Sequence, residues 1–329
     1  MTKTRKLHVL FTLLLYLLVA PSLSRAQSQQ DFQAWLTEFR KSALGAGISK
    51  ETLDITLPKV QFIPRVIELD KSQPEFRLTV EEYLARIVTD SRVLRGRDIL
   101  EQNQDLLNGI YQNYGVQPSV ILALWGIETD FGRSTGAYSV IDAVATLTYH
   151  GRRAAFFRQE LLHALRIIDK GHIPLEQMTG SWAGAMGQIQ FMPSSFQSFA
   201  VDHDGDGKRD IWNSPSDVFA SAANYLARNG WMKDKIWGME ATIPPGFSAS
   251  LAGIEVRKSL TEWKSLGVQY MENAESSVDN SAHWSLVAPD RQKGTAYLVG
   301  SNYRTILRWN RSHHFAIAVG KLSDRIAGR

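Results

Sequence analysis

An apolar run between Pro118 and Gly132 is the strongest constraint on the fold of this chain. Proline is tolerated in the first turn of a helix, glycine favours the end of one, and residues 120–127 are all apolar. This pattern predicts a helix that is buried on all sides, which requires other elements packed around it. One carboxylate, Glu128, lies in its last turns. Loss of water and the negative end of the helix dipole both predict a raised pKa for this carboxyl group.

Glu128 therefore has the properties of a general acid, because a carboxyl group with a raised pKa holds a transferable proton near neutral pH. The alternative is a solvated or salt-bridged glutamate at a helix end, which is the commoner situation for a glutamate at such a position. Other segments of the chain favour the first interpretation.

The first 26 residues have the pattern of a cleavable secretory signal. Lys3, Arg5 and Lys6 precede an apolar stretch over residues 7–20, and small residues stand two apart before a predicted cut after Ala26. The stretch is shorter than the ~20 residues that a membrane-spanning helix needs, and an uncleaved anchor is the alternative. The sequence thus predicts export to the periplasm, with no integral membrane span after processing.

The net positive charge of the chain comes from this signal segment. The sequence carries 37 basic and 33 acidic residues, a formal net charge of +4, and residues 1–26 hold four of the basic residues and no acid. The mature chain is therefore neutral, which argues against nucleic acid as a partner. The sequence contains no cysteine, so we expect neither a disulfide nor a lipid anchor on a cysteine.

The remaining chain has a mainly helical pattern. Apolar residues recur at helical spacing over residues 29–113 and again over residues 117–231. Short alternating runs at residues 285–288 and 296–299 are typical of strands. The sequence predicts a mainly α protein of the α+β kind, with a small β region near residues 240–302.

Residues 180–193 (GSWAGAMGQIQFMP) combine small residues with polar side chains, among them Ser181 and Gln190. Small residues let a backbone or a ligand approach closely. A groove for a sugar needs this mixture of close backbone, hydrogen-bonding amides and aromatic faces. A tightly packed joint between helices is the alternative.

Residues 202–210 (DHDGDGKRD) match the start of an EF-hand calcium loop, with aspartates at positions one, three and five and glycine at position six. Asn213 stands at position twelve instead of the usual glutamate, so the loop is expected to be longer than the standard one. A solvated acidic turn is the alternative. The predicted calcium ligands are Asp202, Asp204, Asp206, the backbone carbonyl of Lys208, and Asp217.

Arg152 and Arg153 follow a glycine and shortly precede two phenylalanines. A pair of guanidinium groups can bind carboxylate or polar substituents of a ligand, whereas an ordinary charged helix start is the alternative. The eight histidines show no metal-ligand spacing, and the chain has neither a nucleophile-elbow serine nor a phosphate-cradling loop. No organic cofactor is therefore predicted.

Taken together, these motifs resemble the membrane-bound lytic murein transglycosylase B family (glycoside hydrolase family 103). The similar segments are residues 125–132, 180–187, 190–195, 202–212, 224–226 and 306–312. They follow in the same order over nearly all of the mature chain. The resemblance implies cleavage of peptidoglycan between N-acetylmuramic acid and N-acetylglucosamine, leaving a 1,6-anhydromuramoyl end. It also implies a lysozyme-like helical core, an α domain, a small β domain and a calcium EF-hand in the core.

The resemblance also implies roles for individual residues. Glu128 would be the single catalytic acid and base, and Ser181 would hold the N-acetyl group of the substrate. The arginine pair Arg152 and Arg153 would face the glycan or its peptide. The further implied substrate contacts are Tyr83, Gln190, Phe191, Tyr225 and Asn310. Trp309 departs from the tyrosine that the family commonly has at this position.

The predicted function is a lytic transglycosylase that acts on peptidoglycan glycan strands in the periplasm, associated with the cell wall and holding a structural calcium ion. A muramidase that hydrolyses the same bond with water, and a non-catalytic wall-binding protein, are the alternatives. No protein partner is indicated. The implied domains are a signal peptide (1–26), an α domain (27–116), a lysozyme-like core (117–239), a small β domain (240–302) and a C-terminal helical segment (303–329).

Overall fold

The structure, a computed structural model, describes residues 29–72, 78–270, 283–290 and 294–329. The predicted signal peptide lies outside the described residues. The chain divides into two compact units. The first contains the described residues within Met1–Gln73, together with Gly136–Ala185 and Met192–Ser194. The second contains those within Pro74–Thr135, together with Met186–Phe191 and Ser195–Arg329.

Helices make up most of the described chain. The α-helices are residues 29–45 (α1), Lys50–Thr56 (α2), Pro64–Lys71 (α3), Val80–Ile87 (α4), Asp90–Gln102 (α5), Gln104–Tyr114 (α6), Pro118–Thr129 (α7), Val140–His150 (α8), Ala154–Asp169 (α9), Pro193–Phe199 (α10), Pro215–Arg228 (α11), Leu260–Ser265 (α12), Ser301–Trp309 (α13) and His313–Ile326 (α14). The strands are Tyr138–Ser139 (β1), Thr179–Gly180 (β2), Gly238–Thr242 (β3), Gln269–Tyr270 (β4), Ser285–Val287 (β5) and Ala296–Val299 (β6). Within these described ranges, no helix is long and apolar enough to cross a membrane.

The first unit is built on the pair α8 and α9, with α3 packed on α8 and α2 packed on α9. An aromatic cluster joins α1 to α8, because Phe32 and Trp35 lie 5.4 and 5.6 Å from Tyr149 between ring centroids. Strands β1 and β2 pair antiparallel, with Tyr138 opposite Gly180. This pairing holds the start of the glycine-rich segment against the residues that lead into α8.

Helix α7 is the element of the second unit on which α5, α6, α11 and α14 pack. Pro118 occupies its first turn, where no backbone donor is needed. Every residue from Ser119 to Gly126 is buried, so the helix has no solvent-facing side over this length. Removal of apolar surface from water, at about 25 cal/mol per Å², stabilises this arrangement.

Helix α7 ends at Thr129, three residues before Gly132, and Glu128 lies in its last turn as the sequence predicted. Asp130 and Phe131 both adopt left-handed backbone conformations, with φ of 51° and 60°, which cost a non-glycine residue about 1–2 kcal/mol each. Phe131 is buried, with 7% of the residue exposed, and its ring packs edge-on against Trp125 with 5.5 Å between centroids. Burial of this ring offsets the backbone cost, so packing ends the helix before the glycine.

A four-stranded antiparallel sheet with the order β4-β3-β6-β5 forms a smaller part of the second unit. Strands β5 and β6 are the two strands that the sequence predicted, and Leu286 lies opposite Leu298. The buried side chains of the sheet pack around Trp263 of α12, which is fully buried. The predicted fold class, mainly α with a small β region, is confirmed. The predicted domain boundaries stay a prediction.

Replacing Gly126 with alanine is expected to destabilise the protein, because a Cβ atom there would lie 2.7 Å from Cζ of Phe131. Forcing an extra methyl group into a packed core lowers the free energy of unfolding by about 1–3 kcal/mol. The matched control is Gly109→Ala on the exposed side of α6, where nothing lies within 4 Å and alanine favours the helix by ~1 kcal/mol. Urea unfolding measures both variants. Equal stabilities would contradict the packing of Phe131 against α7.

Candidate active site

Glu128 lies in the last turn of α7, and its carboxyl group is buried although the residue as a whole is partly exposed. The indole Nε1 of Trp309, at the end of α13, donates a hydrogen bond to Oε1 of Glu128 over 2.7 Å. Burial raises the pKa of Glu128 to about 7, while the hydrogen bond from Trp309 works in the opposite direction. The group therefore titrates close to neutral pH, where a general acid is most effective.

Three aromatic side chains, Phe191, Tyr225 and Trp309, form an aromatic wall beside Glu128. The Trp309 ring lies 5.3 Å from Phe191 and 4.8 Å from Tyr225 between centroids. Phe191 and Tyr225 are 5.8 Å apart. The hydroxyl of Tyr225 donates to the backbone carbonyl of Arg308 over 2.7 Å, which ties α11 to the end of α13. Phe191 and Tyr225 are two of the predicted substrate contacts.

Gln188 fastens the last turn of α7 to the glycine-rich segment. Its Oε1 accepts the indole N–H of Trp125 over 2.9 Å, and its Nε2 donates to the carbonyl of Trp212 over 2.7 Å. Its own backbone carbonyl accepts the hydroxyl of Thr129, next to Glu128, over 2.6 Å. The sequence did not indicate these three contacts, since the partners of Gln188 are distant from it in the chain.

Asp130, the nearest acid along the chain, is held by arginines. Arg95 donates to its Oδ1 over 2.8 Å, and Arg133 donates to its Oδ2 over 3.0 Å through Nε. Arg92 contributes a longer ion pair at 3.5 Å. Burial works to raise the pKa of Asp130, but the guanidinium groups outweigh it and hold the pKa below its ordinary value. Asp130 is therefore ionised and neutralised near pH 7, in contrast to Glu128.

Tyr83, Gln190 and Asn310 also belong to the second unit. Burial and the charge of Glu128 both raise the pKa of Tyr83, which places its ring within electrostatic reach of the carboxyl group. Gln190 has a left-handed backbone, with φ of 51°, and its Nε2 donates to the carbonyls of Thr135 and Gly187 over 3.0 Å each. Asn310 is exposed at the end of α13 and accepts the N–H of Ser312.

The other three predicted substrate contacts, Ser181, Arg152 and Arg153, belong to the first unit. Oγ of Ser181 accepts the N–H of Ala185 over 3.0 Å and closes a tight turn in the glycine-rich segment. Arg152 donates through Nη2 to the carbonyl of Asp70 over 2.7 Å. The Arg153 guanidinium lies over the rings of Phe156 and Phe157, at 5.5 and 5.1 Å from their centroids.

Three carboxylates gather where the loop before α11 meets the first turn of that helix. Oxygen atoms of Asp202, Asp204 and Asp217 all lie within 4.8 Å of one another. Asp217 is fully buried, and its two oxygens accept the N–H groups of His203 and Asp210 over 2.7 Å each. Three negative charges at this separation repel one another, and a hard divalent cation with oxygen ligands removes that repulsion. The donor set therefore fits calcium.

Two other predicted ligands, Asp206 and Lys208, follow in the same loop. Asp206 is not part of the group of three carboxylates, and its Oδ1 accepts the N–H of Lys208 over 2.8 Å. Asn213, at position twelve, donates its side-chain amide to Oδ2 of Asp210 over 3.1 Å. The third carboxylate of the cluster is therefore Asp217, at the start of α11, and not the residue at position twelve.

The match to a known family extends over most of the chain. The family model of the transglycosylase SLT domain matches residues 31–324. The protein therefore belongs to this transglycosylase family, which confirms the family and the class of enzyme that the motifs predicted.

Individual relatives agree with this assignment. The chain is 36% identical over 249 residues to the membrane-bound lytic murein transglycosylase B of Escherichia coli strain K12. The aligned region covers 74% of this chain and 66% of that relative. SltB3 from Pseudomonas aeruginosa, solved in complex with NAG-anhNAM-pentapeptide, is 43% identical with a TM-score of 0.86 over 90% of this chain and 80% of that chain. The Escherichia coli lytic transglycosylase Slt35, solved in complex with calcium, is 32% identical with a TM-score of 0.75 over 89% of this chain and 92% of that chain.

The second unit thus brings Glu128 together with Phe191, Tyr225 and Tyr83, and it separately gathers three of the predicted calcium ligands. Trp309 is the residue beside Glu128 to which the sequence assigned no role. Its departure from the family's tyrosine was the one available signal. The pairing itself could not be foreseen, because the two residues lie far apart in the chain.

Proposed function

We propose that this protein cleaves the β-1,4 bond between N-acetylmuramic acid and N-acetylglucosamine in peptidoglycan without water and forms 1,6-anhydromuramoyl ends. The proposal rests on one observation: the carboxyl group of Glu128 is buried, and this burial raises its pKa to about 7. The relatives support the substrate class, since one is named a lytic murein transglycosylase and SltB3 was solved with NAG-anhNAM-pentapeptide.

Glu128 acts alone in this reaction. Ordinary glycosidases use two carboxyl groups around the bond, but the neighbouring Asp130 is bound by arginines. The proton of Glu128 moves to the glycosidic oxygen, and the electron pair of the broken C1–O bond stays with the departing N-acetylglucosamine. The 2-acetamido group of the substrate stabilises the positive anomeric carbon. Glu128, now a carboxylate, takes the proton of the muramoyl C6 hydroxyl while that oxygen bonds to C1.

The remaining site residues bind the glycan. Ser181 holds the N-acetyl group of the substrate, and Arg152 and Arg153 bind the glycan or the carboxylates of its peptide. The aromatic wall offers ring faces to sugars, and the amide groups of Gln190 and Asn310 offer hydrogen bonds. Tyr83 contacts the substrate beside Glu128.

The protein acts in the periplasm, associated with the cell wall, after removal of residues 1–26. The basic and apolar pattern of that segment supports export, and the murein in the name of the Escherichia coli relative supports the compartment. Its partner is the glycan strand, and neither nucleic acid nor an organic cofactor takes part.

One calcium ion stabilises the loop before α11. Asp202, Asp204 and Asp217 supply carboxylate oxygens from their cluster. Asp206 and the backbone carbonyl of Lys208, which follow in the same loop, are the further proposed ligands. The ion takes no part in the chemistry. The support is the cluster of carboxylates and the calcium in the Slt35 structure.

Replacing Glu128 with glutamine is expected to lower the release of anhydromuropeptides from purified sacculi by at least ~100-fold, because the amide keeps the shape of the side chain and has no transferable proton. Mass spectrometry of the digest measures the products, and binding to sacculi should persist. The matched control is Glu101→Gln on the exposed surface of α5, which should act like the wild type.

The same digest separates the competing functions. Reducing muramic acid ends from the wild type would indicate a muramidase that uses water. Binding without cleavage would indicate a wall-binding protein. Substantial activity in the Glu128→Gln variant would contradict the single-acid mechanism.

Calcium is expected to raise the melting temperature of the protein after bound metal has been removed. An ion that binds only the folded state stabilises it by about 2.7 kcal/mol at a hundredfold excess over Kd. Asp204→Asn should weaken this response, whereas Asp105→Asn, an exposed residue in the first turn of α6, should leave it unchanged. A melting temperature that is the same with calcium and with chelator would contradict the site.

A further inference from the structure

The hydrogen bond between Trp309 and Glu128 distinguishes the two carboxyl oxygens. The indole N–H of Trp309 donates to Oε1 over 2.7 Å. An indole has one donor and no acceptor, so it always donates in this pair. In a neutral carboxyl group the carbonyl oxygen is the better acceptor. The bond therefore favours the form in which Oε1 is the carbonyl oxygen and Oε2 carries the proton.

The indole ring is held in position before any substrate binds. It packs between Phe191 and Tyr225, at 5.3 and 4.8 Å between centroids. The hydroxyl of Tyr225 binds the carbonyl of Arg308, the residue before Trp309, and so fixes the end of α13. A donor whose rotamer is locked by packing can orient its acceptor at little entropic cost.

We propose that Trp309 is a positioning residue, which holds the Glu128 carboxyl group in one orientation with Oε1 bound to the indole and Oε2 presenting the proton to the glycosidic oxygen. The inference rests on the proposed function and adds to it a residue that controls proton transfer. Trp309 itself donates no proton to the substrate.

The same hydrogen bond assists the reaction as it proceeds. When the proton leaves Oε2 for the glycosidic oxygen, negative charge develops on the carboxylate, and a hydrogen bond to an ionised acceptor is stronger than one to a neutral acceptor. The Trp309 bond is thus stronger in the transition state than in the ground state, which raises kcat more than it changes KM. The carboxylate then keeps its orientation until it receives the C6 hydroxyl proton.

Among the residues that the structure describes, few other groups act on the ionisation of Glu128. Tyr83 of α4 faces it, and Arg92 of α5 in turn acts on Tyr83. The ring of His314, on α14, packs edge-on against Tyr83 at 5.7 Å. On the side of the aromatic wall, the positive charge of Arg308 acts on Tyr225. Trp309 is the hydrogen-bond donor that favours the ionised form, so its loss should raise the pKa of Glu128 further.

The test compares Trp309→Phe and Trp309→Tyr with Trp231→Phe as the matched control. Trp231 also donates its indole N–H to a side chain of the same unit, Oε1 of Gln117, over 3.0 Å. Trp309→Phe should lower kcat by about 10- to 100-fold, the effect of losing a hydrogen bond to a charged group, with a much smaller change in KM. Trp309→Tyr, which keeps a donor, should recover part of the loss. Trp231→Phe should resemble the wild type.

The pH profile of kcat/KM gives a readout that a merely structural role would not move. Because Glu128 acts in its protonated form, activity should fall as the pH rises through about 7 in the wild type, and the fall should move to higher pH in Trp309→Phe. A profile and a kcat equal to those of the wild type would overturn the inference.

A measurement on the wild type needs neither a variant nor activity. The indole N–H resonance of Trp309 should shift with pH along the titration of Glu128, with a midpoint near 7, and this shift should be absent in Glu128→Gln. An indole resonance that does not shift as Glu128 titrates would overturn the inference, even if the enzyme forms anhydro products. If the resonance follows Glu128 but no anhydro products form, the proposed function is wrong and the role of Trp309 in orienting the carboxyl group stands.

Discussion

Exclusion of water around α7 is the constraint on which the rest of the structure depends. The helix is apolar on every side, so the second unit must enclose it, and Glu128 in its last turn loses water as a consequence. Desolvation disfavours the charged carboxylate and moves its pKa towards neutrality. The packing that stabilises the unit and the protonation of its acid thus have one physical origin.

The side chains around Glu128 maintain the environment of its carboxyl group. Arginines neutralise Asp130, so a second negative charge does not add to the field at Glu128. Gln188 binds the last turn of α7 through Trp125 and Thr129. Trp309 supplies a hydrogen bond without supplying water or a proton acceptor. A site of this kind suits a reaction in which water must not reach the anomeric carbon.

The sequence predicted the parts of this structure that depend on local pattern. The apolar run of α7, the strands β5 and β6 and the family follow from spacing and motifs. It placed Glu128 in the last turns of α7 but could not give the exact end of the helix, which depends on a tertiary contact of Phe131. It did not predict the hydrogen bond of Trp309 to Glu128 or the contacts by which Gln188 braces α7. Hydrogen bonds between residues distant in the chain leave no periodicity that a sequence can display.

The most direct test of the central claim is the titration of the Glu128 carboxyl carbon by ¹³C NMR, with its resonance assigned by comparison with Glu128→Gln. If enclosure by the second unit controls the ionisation of Glu128, the midpoint lies near pH 7 in the folded protein. A midpoint near 4.5, the ordinary value for glutamate, would mean that water reaches the carboxyl group, and it would contradict the assignment of Glu128 as a buried acid.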